Sequence, residues 1–220
     1  MITDALTYPF RQGGWLMIIV GSAFAFLINI GGNVPLAGLA VTLFGAGYFG
    51  SFYLSIISST ILGRDHTPDW LDFTSFLDDI ISPFLRLLGL TIISFLPLFL
   101  VLIFGQKEQA WVLPAIILAA LYGCFYFPMA VLAMLSYGGV LAALPPIVFP
   151  AIFRCMPGYI LAVVALMLSF FIGALVEEFC GYIPYVGWVL GAAVGLYSLM
   201  IQARLIGLLY RQKRDDIGWD

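Results

Sequence analysis

The chain is predicted to be an all-α, polytopic transmembrane helical bundle. Three observations lead there: six long apolar stretches almost free of charge, 63% hydrophobic against only 10% charged residues, and a mean hydropathy of +1.08. Soluble domains contain roughly 45–50% apolar and 25% charged residues. The stretches are 15–30, 36–62, 84–104, 111–135, 159–176 and 186–210. Each is about the 17–25 residues that a helix needs to cross the hydrocarbon core of a bilayer. Little chain remains outside them, so residues 1–220 read as one integral-membrane domain. A formal net charge of -3 offers no basic surface for nucleic acid, which is excluded as a partner.

The first stretch could be mistaken for a secretory signal, since Arg11 precedes it and Ala23-Phe24-Ala25 resembles a small-x-small cleavage site. The apolar run continues through Phe26-Leu27-Ile28, which favours a retained first helix. Orientation follows from the basic residues. With six crossings and a cytoplasmic N-terminus, Arg11, Arg64, Arg86, Arg154, Arg204, Arg211, Lys213 and Arg214 fall at or near the cytoplasmic side, and only Lys107, beside Glu108, falls outside. Because Lys and Arg are retained on that side during insertion, both termini are expected inside.

Two cytoplasmic connections organise the chain. After Gly63-Arg64-Asp65-His66, Thr67-Pro68-Asp69 reads as a helix start: Thr67 can cap, Pro68 suits the first position, and Asp69 complements the dipole. Trp70, Phe73, Leu77, Ile80 and Phe84 then recur at helical spacing, with Asp69, Asp72, Asp79 and Ser82 on the other side. A short interfacial amphipathic helix is expected, anchored by Trp70, Phe73 and Leu77. Anionic lipid attracts Lys and Arg, so the acidic face formed by Asp69, Asp72 and Asp79 is a candidate docking surface for a basic partner. The plainer alternative is a solvated face above an anchoring apolar stripe.

In the second connection, 136–158, Pro145-Pro146, Pro150 and Pro157 preclude one continuous helix. Its short apolar segment is expected to be interfacial or re-entrant. Crossing, short segment, Arg and crossing thus occur twice, at 36–104 and 111–176, as in a loose parallel duplication.

Small residues recur every fourth position. Gly187, Gly191 and Gly195, prolonged by Ala203 and Gly207, mark the last crossing; Gly47, Ser51, Ser55 and Ser59 mark the second. Such faces let helix backbones approach closely, so they are candidate packing surfaces. The same stripes can serve dimerisation or line a pore.

Tests for catalysis are mostly empty. Cys124, Cys155 and Cys180 are scattered singly, without the clustering that a zinc site or disulfide framework needs. His66 beside Asp65 is a lone loop histidine, usually just solvated, where a membrane serine hydrolase would want it near a buried serine, and Asp78-Asp79 lacks a third carboxylate for a diphosphate-magnesium site. Glu177-Glu178, at the outer end of the fifth crossing, could bind a cation or be simply hydrated. No cofactor is expected. Ion-coupled transport usually leaves ionisable groups at membrane depth. Here the inner segments offer mainly Ser, Thr and Asn29, with Gln202 and Arg204 close to the cytoplasmic end, from which Arg204 can snorkel to the interface.

The opening Asp4-Ala5-Leu6-Thr7-Tyr8-Pro9-Phe10 with Trp15 and Gly21, then Gly47-Tyr48, Gly63-Arg64-Asp65, Pro68-Asp69-Trp70 and Asp72-Phe73, resembles an uncharacterised prokaryotic integral-membrane family, a domain of unknown function. Pro128-Met129-Ala130, Ala142-Ala143-Leu144-Pro145 and Tyr159 are similar to its second half. The resemblance implies a multi-helix protein of the cytoplasmic (inner) membrane and brings no catalytic residues. Ser58-Ser59-Thr60 stands where that family commonly carries a basic stretch, which argues against an anionic-lipid role there. The function expected is that of a non-enzymatic membrane subunit or organiser that binds membrane lipids, another membrane protein or a second copy through its helix faces. A small permease or channel-like transporter is the alternative, and a continuous polar cavity between helices would favour it.

Overall fold

The computed structural model describes residues 1–11, 13–32, 37–65, 67, 80–105, 109–183 and 186–219, with the backbone alone at Asn29 and Ala37. Among the described residues there are nine α-helices and no strand: α1 (Ile2–Thr7), α2 (Gly14–Gly32), α3 (Ala37–Ile61), α4 (Ser82–Ser94), α5 (Leu96–Phe104), α6 (Val112–Tyr137), α7 (Pro145–Arg154), α8 (Met156–Gly181) and α9 (Gly187–Ile217). Of these, α2, α3, α6, α8 and α9 are each long and apolar enough to cross a membrane. The expected acidic interfacial helix, with Asp69, Asp72, Asp79, Trp70, Phe73 and Leu77, lies outside the described residues, as do His66, Asp78 and Lys107-Glu108.

The third apolar stretch is not one straight helix. It divides at Phe95 into α4 and α5, which meet at 64°. Pro97 explains the break, because it sits at the second position of α5, where it has no N–H for the preceding turn and its ring crowds that turn's carbonyl. Phe95 leaves helical geometry at φ -102°, ψ 15°. The second connection is discontinuous, as its prolines require: a 3-10 turn at Val140–Ala143, then α7 opening on Pro145-Pro146, then a break at Cys155 before α8. The last helix runs past the apolar stretch to Ile217, so its final two turns carry charged, mostly exposed residues.

The chain packs as two compact units, one made of 1–84 with 164–212, the other of 85–163 with 213–220. Each half of the loose duplication therefore has part of its length in both units. In the first unit, α2 meets α3 through the Phe24 ring, whose centroid lies 5.1 Å from that of Tyr48 and 6.2 Å from that of Phe44. In the second, polar side chains cap backbone carbonyls. The Tyr126 hydroxyl donates to the Ala143 carbonyl at 2.6 Å, the Tyr159 hydroxyl donates to that of Phe125, and the Arg154 guanidinium donates to that of Ile217 at 3.1 Å. Unpaired carbonyls are costly in an apolar interior, so these bonds offset part of what the broken helices leave open.

Candidate functional site: a buried arginine and a glycine-lined groove

Two features of the first unit stand out, one at each end of α9. At the end expected to face the cytoplasm, α3 stops at Gly63, whose φ of +79° is the left-handed conformation that glycine adopts without strain. The Gly63 amide donates to the Thr60 carbonyl at 3.0 Å and the Arg64 amide to that of Ser59 at 2.9 Å, which closes the helix and turns the chain sharply. The turn delivers the Arg64 carbonyl and the Asp65 carboxylate to α9. There they meet Arg204.

Arg204 is 1% exposed. Its Nε and one terminal nitrogen each approach Asp4 Oδ2 at 3.0 Å; that terminal nitrogen also donates to Asp65 Oδ1 at 2.6 Å. The other donates to the Arg64 carbonyl at 3.0 Å and to Thr60 Oγ1 at 3.3 Å. A guanidinium has five N–H groups. Four of them donate to protein acceptors, and the guanidinium is also ion-paired with Asp4. The Tyr8 ring closes the remaining side, with its centroid 4.8 Å from the guanidinium carbon. Arg11 pairs with the other Asp4 oxygen at 2.7 Å, and Arg211 stands 3.9 Å from Asp65, so three arginines and two aspartates alternate.

The titration behaviour follows from this geometry. Burial acts to raise the Asp4 carboxyl, but the hydrogen bonds from Arg11 and Arg204 and their positive charges outweigh it and hold the group below its ordinary value. The hydrogen bond from Arg204 likewise lowers Asp65, against a smaller effect of burial. Burial raises the Tyr8 phenol; the charge of Arg204 and a hydrogen bond with Ser59 oppose it. The cluster thus stays charged at neutral pH and binds the N-terminal segment, the end of α3 and α9 to one another. A hydrogen bond from the Tyr197 hydroxyl to the Leu6 carbonyl, at 3.1 Å, ties the same segment to α9 about two turns earlier.

At the other end, α8 and α9 approach through small residues. A Cβ at Gly187 would lie 2.1 Å from the Cys180 carbonyl oxygen, and one at Gly173 would lie 2.3 Å from Ser198 Oγ. Gly191 stands in ordinary contact, 3.4 Å from Glu177 Cγ, whereas Gly195 has no atom within 4 Å of a Cβ position. Two hollows flank this contact. One, of about 470 Å³, is lined by Ala25, Phe26, Glu177, Trp188 and Gly191. The other, of about 310 Å³, is lined by Tyr53, Glu177, Gly195, Ser198 and Gln202. Glu177 belongs to both. The glycine stripe of the last crossing therefore makes one tight contact, at Gly187, and otherwise borders open space. A second tight approach lies farther along, against α3 at Gly207, where a Cβ would lie 2.5 Å from Thr60 Cβ.

The remaining expected sites fall elsewhere. Gly47 faces Ile80 at 3.0 Å, and the buried Ser51 hydroxyl donates to the Ile80 carbonyl at 3.4 Å, so that end of the stripe packs against the start of α4. Ser55 is half-buried on the same helix. Cys124, Cys155 and Cys180 are free thiols, and the Cys155 thiol donates to the Ala151 carbonyl at 3.0 Å.

Arg204 corrects the sequence reading. It does not snorkel to the interface; it is enclosed by protein. The signal was present, because Leu205-Ile206-Gly207-Leu208-Leu209-Tyr210 continues the apolar run beyond it, and a snorkelling arginine belongs at the end of such a run. Asp4 and Asp65 were both expected on the same side, but three residues so far apart in sequence could not be joined without the tertiary fold. Comparison with known proteins finds no matching family model, no matching curated protein and no matching solved structure.

Proposed function

We propose that this multi-pass membrane protein is a non-enzymatic subunit or organiser of the cytoplasmic membrane, and that it binds lipid or another membrane protein along the groove between α8 and α9. The observation that carries the reading is the pair of hollows bordered by Gly191 and Gly195. Small residues there keep helix backbone accessible to an apolar occupant, which in lipid gains van der Waals contact with little desolvation. The arginine cluster supports a scaffolding role, since the Arg204 guanidinium is enclosed and its hydrogen bonds go to protein acceptors. Several residues of the family resemblance, Asp4, Tyr8 and the Gly63-Arg64-Asp65 turn, converge on that cluster; membership of that family is part of the proposal.

Topology belongs to it too. Asp4, Asp65 and Arg204 touch, so they occupy one side of the membrane, and an even number of crossings must separate residue 65 from residue 204. α6, α8 and α9 supply three. We take the bent α4–α5 pair as a broken but complete crossing, which gives six in all with both termini on the Arg-rich, cytoplasmic side. Cysteine placed at the exposed Tyr182 should react with an impermeant reagent in intact cells, and cysteine placed at Arg64 only after permeabilisation. Labelling of position 64 in intact cells would overturn the topology.

For the binding role, the double variant Gly191→Leu, Gly195→Leu fills both hollows. It should keep its thermal stability in detergent to within a few degrees but lose co-purifying lipid or membrane protein, read by native mass spectrometry. An unchanged set of bound species would overturn the proposal. A small permease is the second reading, favoured by Tyr53, Ser198 and Gln202 in the second hollow. Solute flux into proteoliposomes that Gln202→Leu abolishes would support it.

A further inference from the structure

The larger hollow carries chemistry that its glycine border does not explain. Its volume of about 470 Å³ lies within the roughly 300–1,000 Å³ of small-ligand pockets. Its wall is apolar and aromatic, with Phe26 and Trp188, and Glu177 supplies one carboxylate. Glu177 has no hydrogen-bond or ion-pair partner among the described residues, and neither hollow is lined by a lysine or arginine. Glu177 is exposed, its stem lies beside Gly191, and it lines both hollows. The two hollows share Glu177 and together border α9 from Gly187 to Gln202, fifteen steps along the helix, or about 22 Å at 1.5 Å per residue.

We infer that this groove binds an amphiphile with a cationic amine headgroup, its ammonium on Glu177 between Phe26 and Trp188 and its apolar chain along α9. Charge decides the headgroup: a carboxylate disfavours a headgroup that is anionic overall, such as that of phosphatidylglycerol, and attracts one that presents an ammonium. Aromatic walls add to the selection, because a ring quadrupole attracts quaternary and primary ammonium alike. The apolar trough decides the rest of the molecule, since a free amine without a chain leaves most of the groove empty. The inference rests on the groove being the binding surface and names the ligand class for it. The amine can come from an ethanolamine phospholipid or from a soluble alkylammonium.

The test uses the full chain in neutral maltoside micelles. Phosphatidylethanolamine, phosphatidylglycerol and decyltrimethylammonium are offered separately, and binding is read by native mass spectrometry and calorimetry. Glu177→Gln is compared with Glu178→Gln, which removes the same charge from the next residue, equally exposed but outside both hollows. We expect Glu177→Gln to weaken amine binding about tenfold, equivalent to about 1.4 kcal/mol, and Glu178→Gln to leave it within twofold. Binding of phosphatidylethanolamine identifies lipid as the source; binding of decyltrimethylammonium alone identifies a soluble amphiphile. Equal losses in the two variants, equal binding of phosphatidylglycerol, no amine binding, or loss only of a co-purifying protein in Glu177→Gln would each overturn the inference. Headgroup-independent lipid binding that the Gly191→Leu, Gly195→Leu variant abolishes would overturn it while leaving the proposed function intact.

Discussion

The two ends of α9 solve opposite problems with the same helix. From Ala203 to Tyr210 every residue is buried, and the charge among them is neutralised by Asp4 and Asp65, from two separate parts of the chain. From Gly187 to Leu199 burial is patchy, and the helix is bordered by hollows. Polar atoms at the first end are saturated; at the second, Glu177 has no partner among the described residues. In a low-dielectric surrounding an arginine is tolerable only when its donors are all satisfied, and the geometry that satisfies them leaves little freedom. A glycine border imposes no such demand. Rigidity is thus built at one end and room for an occupant at the other.

The largest expected effect is Gly207→Leu. The new Cβ would lie 2.5 Å from Thr60 Cβ and 3.1 Å from the Ile57 carbonyl oxygen, and the second of these is backbone that cannot swing aside. Overpacking of this kind costs about 1–3 kcal/mol, and more where a helix must shift. Here the shift also draws Thr60 away from Arg204. The variant should show the greatest loss of melting temperature in detergent; a value equal to wild type would mean that α3 and α9 do not pack as described.

Next is Asp4→Asn, which removes the better buried of the two carboxylates that face Arg204. Breaking a buried pair by removing one partner costs about 3–5 kcal/mol, and the exposed Asp65 that remains is partly screened, so about 2–3 kcal/mol is expected. The pH dependence has a definite sign. Both aspartates sit below their ordinary value of 3.8 in the folded chain. Their contribution is therefore full above that value and lost as the pH falls through the lowered one. Wild type should lose stability as the pH drops below about 4, and Asp4→Asn should flatten that loss. An unchanged acid limb in the variant would break the link between the cluster and stability.

Smallest are the changes at the open end. Gly191→Leu begins in ordinary contact with Glu177 and should lower stability slightly, by under about 1 kcal/mol, while Gly195→Leu projects into open space and should be neutral. The ordering Gly207, then Gly191, then Gly195 sharpens the comparison. Equal costs at all three would show a uniform packing face along α9.

Much of the architecture was legible without coordinates. Helix crossings announce themselves because a bilayer demands about twenty consecutive apolar residues, a local property that composition alone displays. The prolines of 136–158 announced a broken connection for an equally local reason, the missing N–H. Pro97 carried the same signal for the third stretch, yet its effect was hidden inside a run of apolar residues that reads as continuous. Gly63-Arg64-Asp65 was recognisable as a turn, but its partner was not.

What the sequence determined by itself, then, was what each segment needs from its immediate surroundings: lipid around an apolar run, a break at the prolines of 136–158, a close neighbour or open space beside a glycine stripe. What only the tertiary structure decided was which of two allowed answers each residue received. Gly207 and Gly195 belong to one four-residue pattern, and one is pressed against Thr60 while the other faces open space. Arg204 could have reached water or found acceptors inside the protein. Its choice depended on Asp4 and Asp65, separated from it by 200 and 139 positions and brought within 3.0 Å only by folding. Pairing of charges at such separation leaves no periodicity in the chain, because it is a property of where helices end in space and not of the order in which they are made.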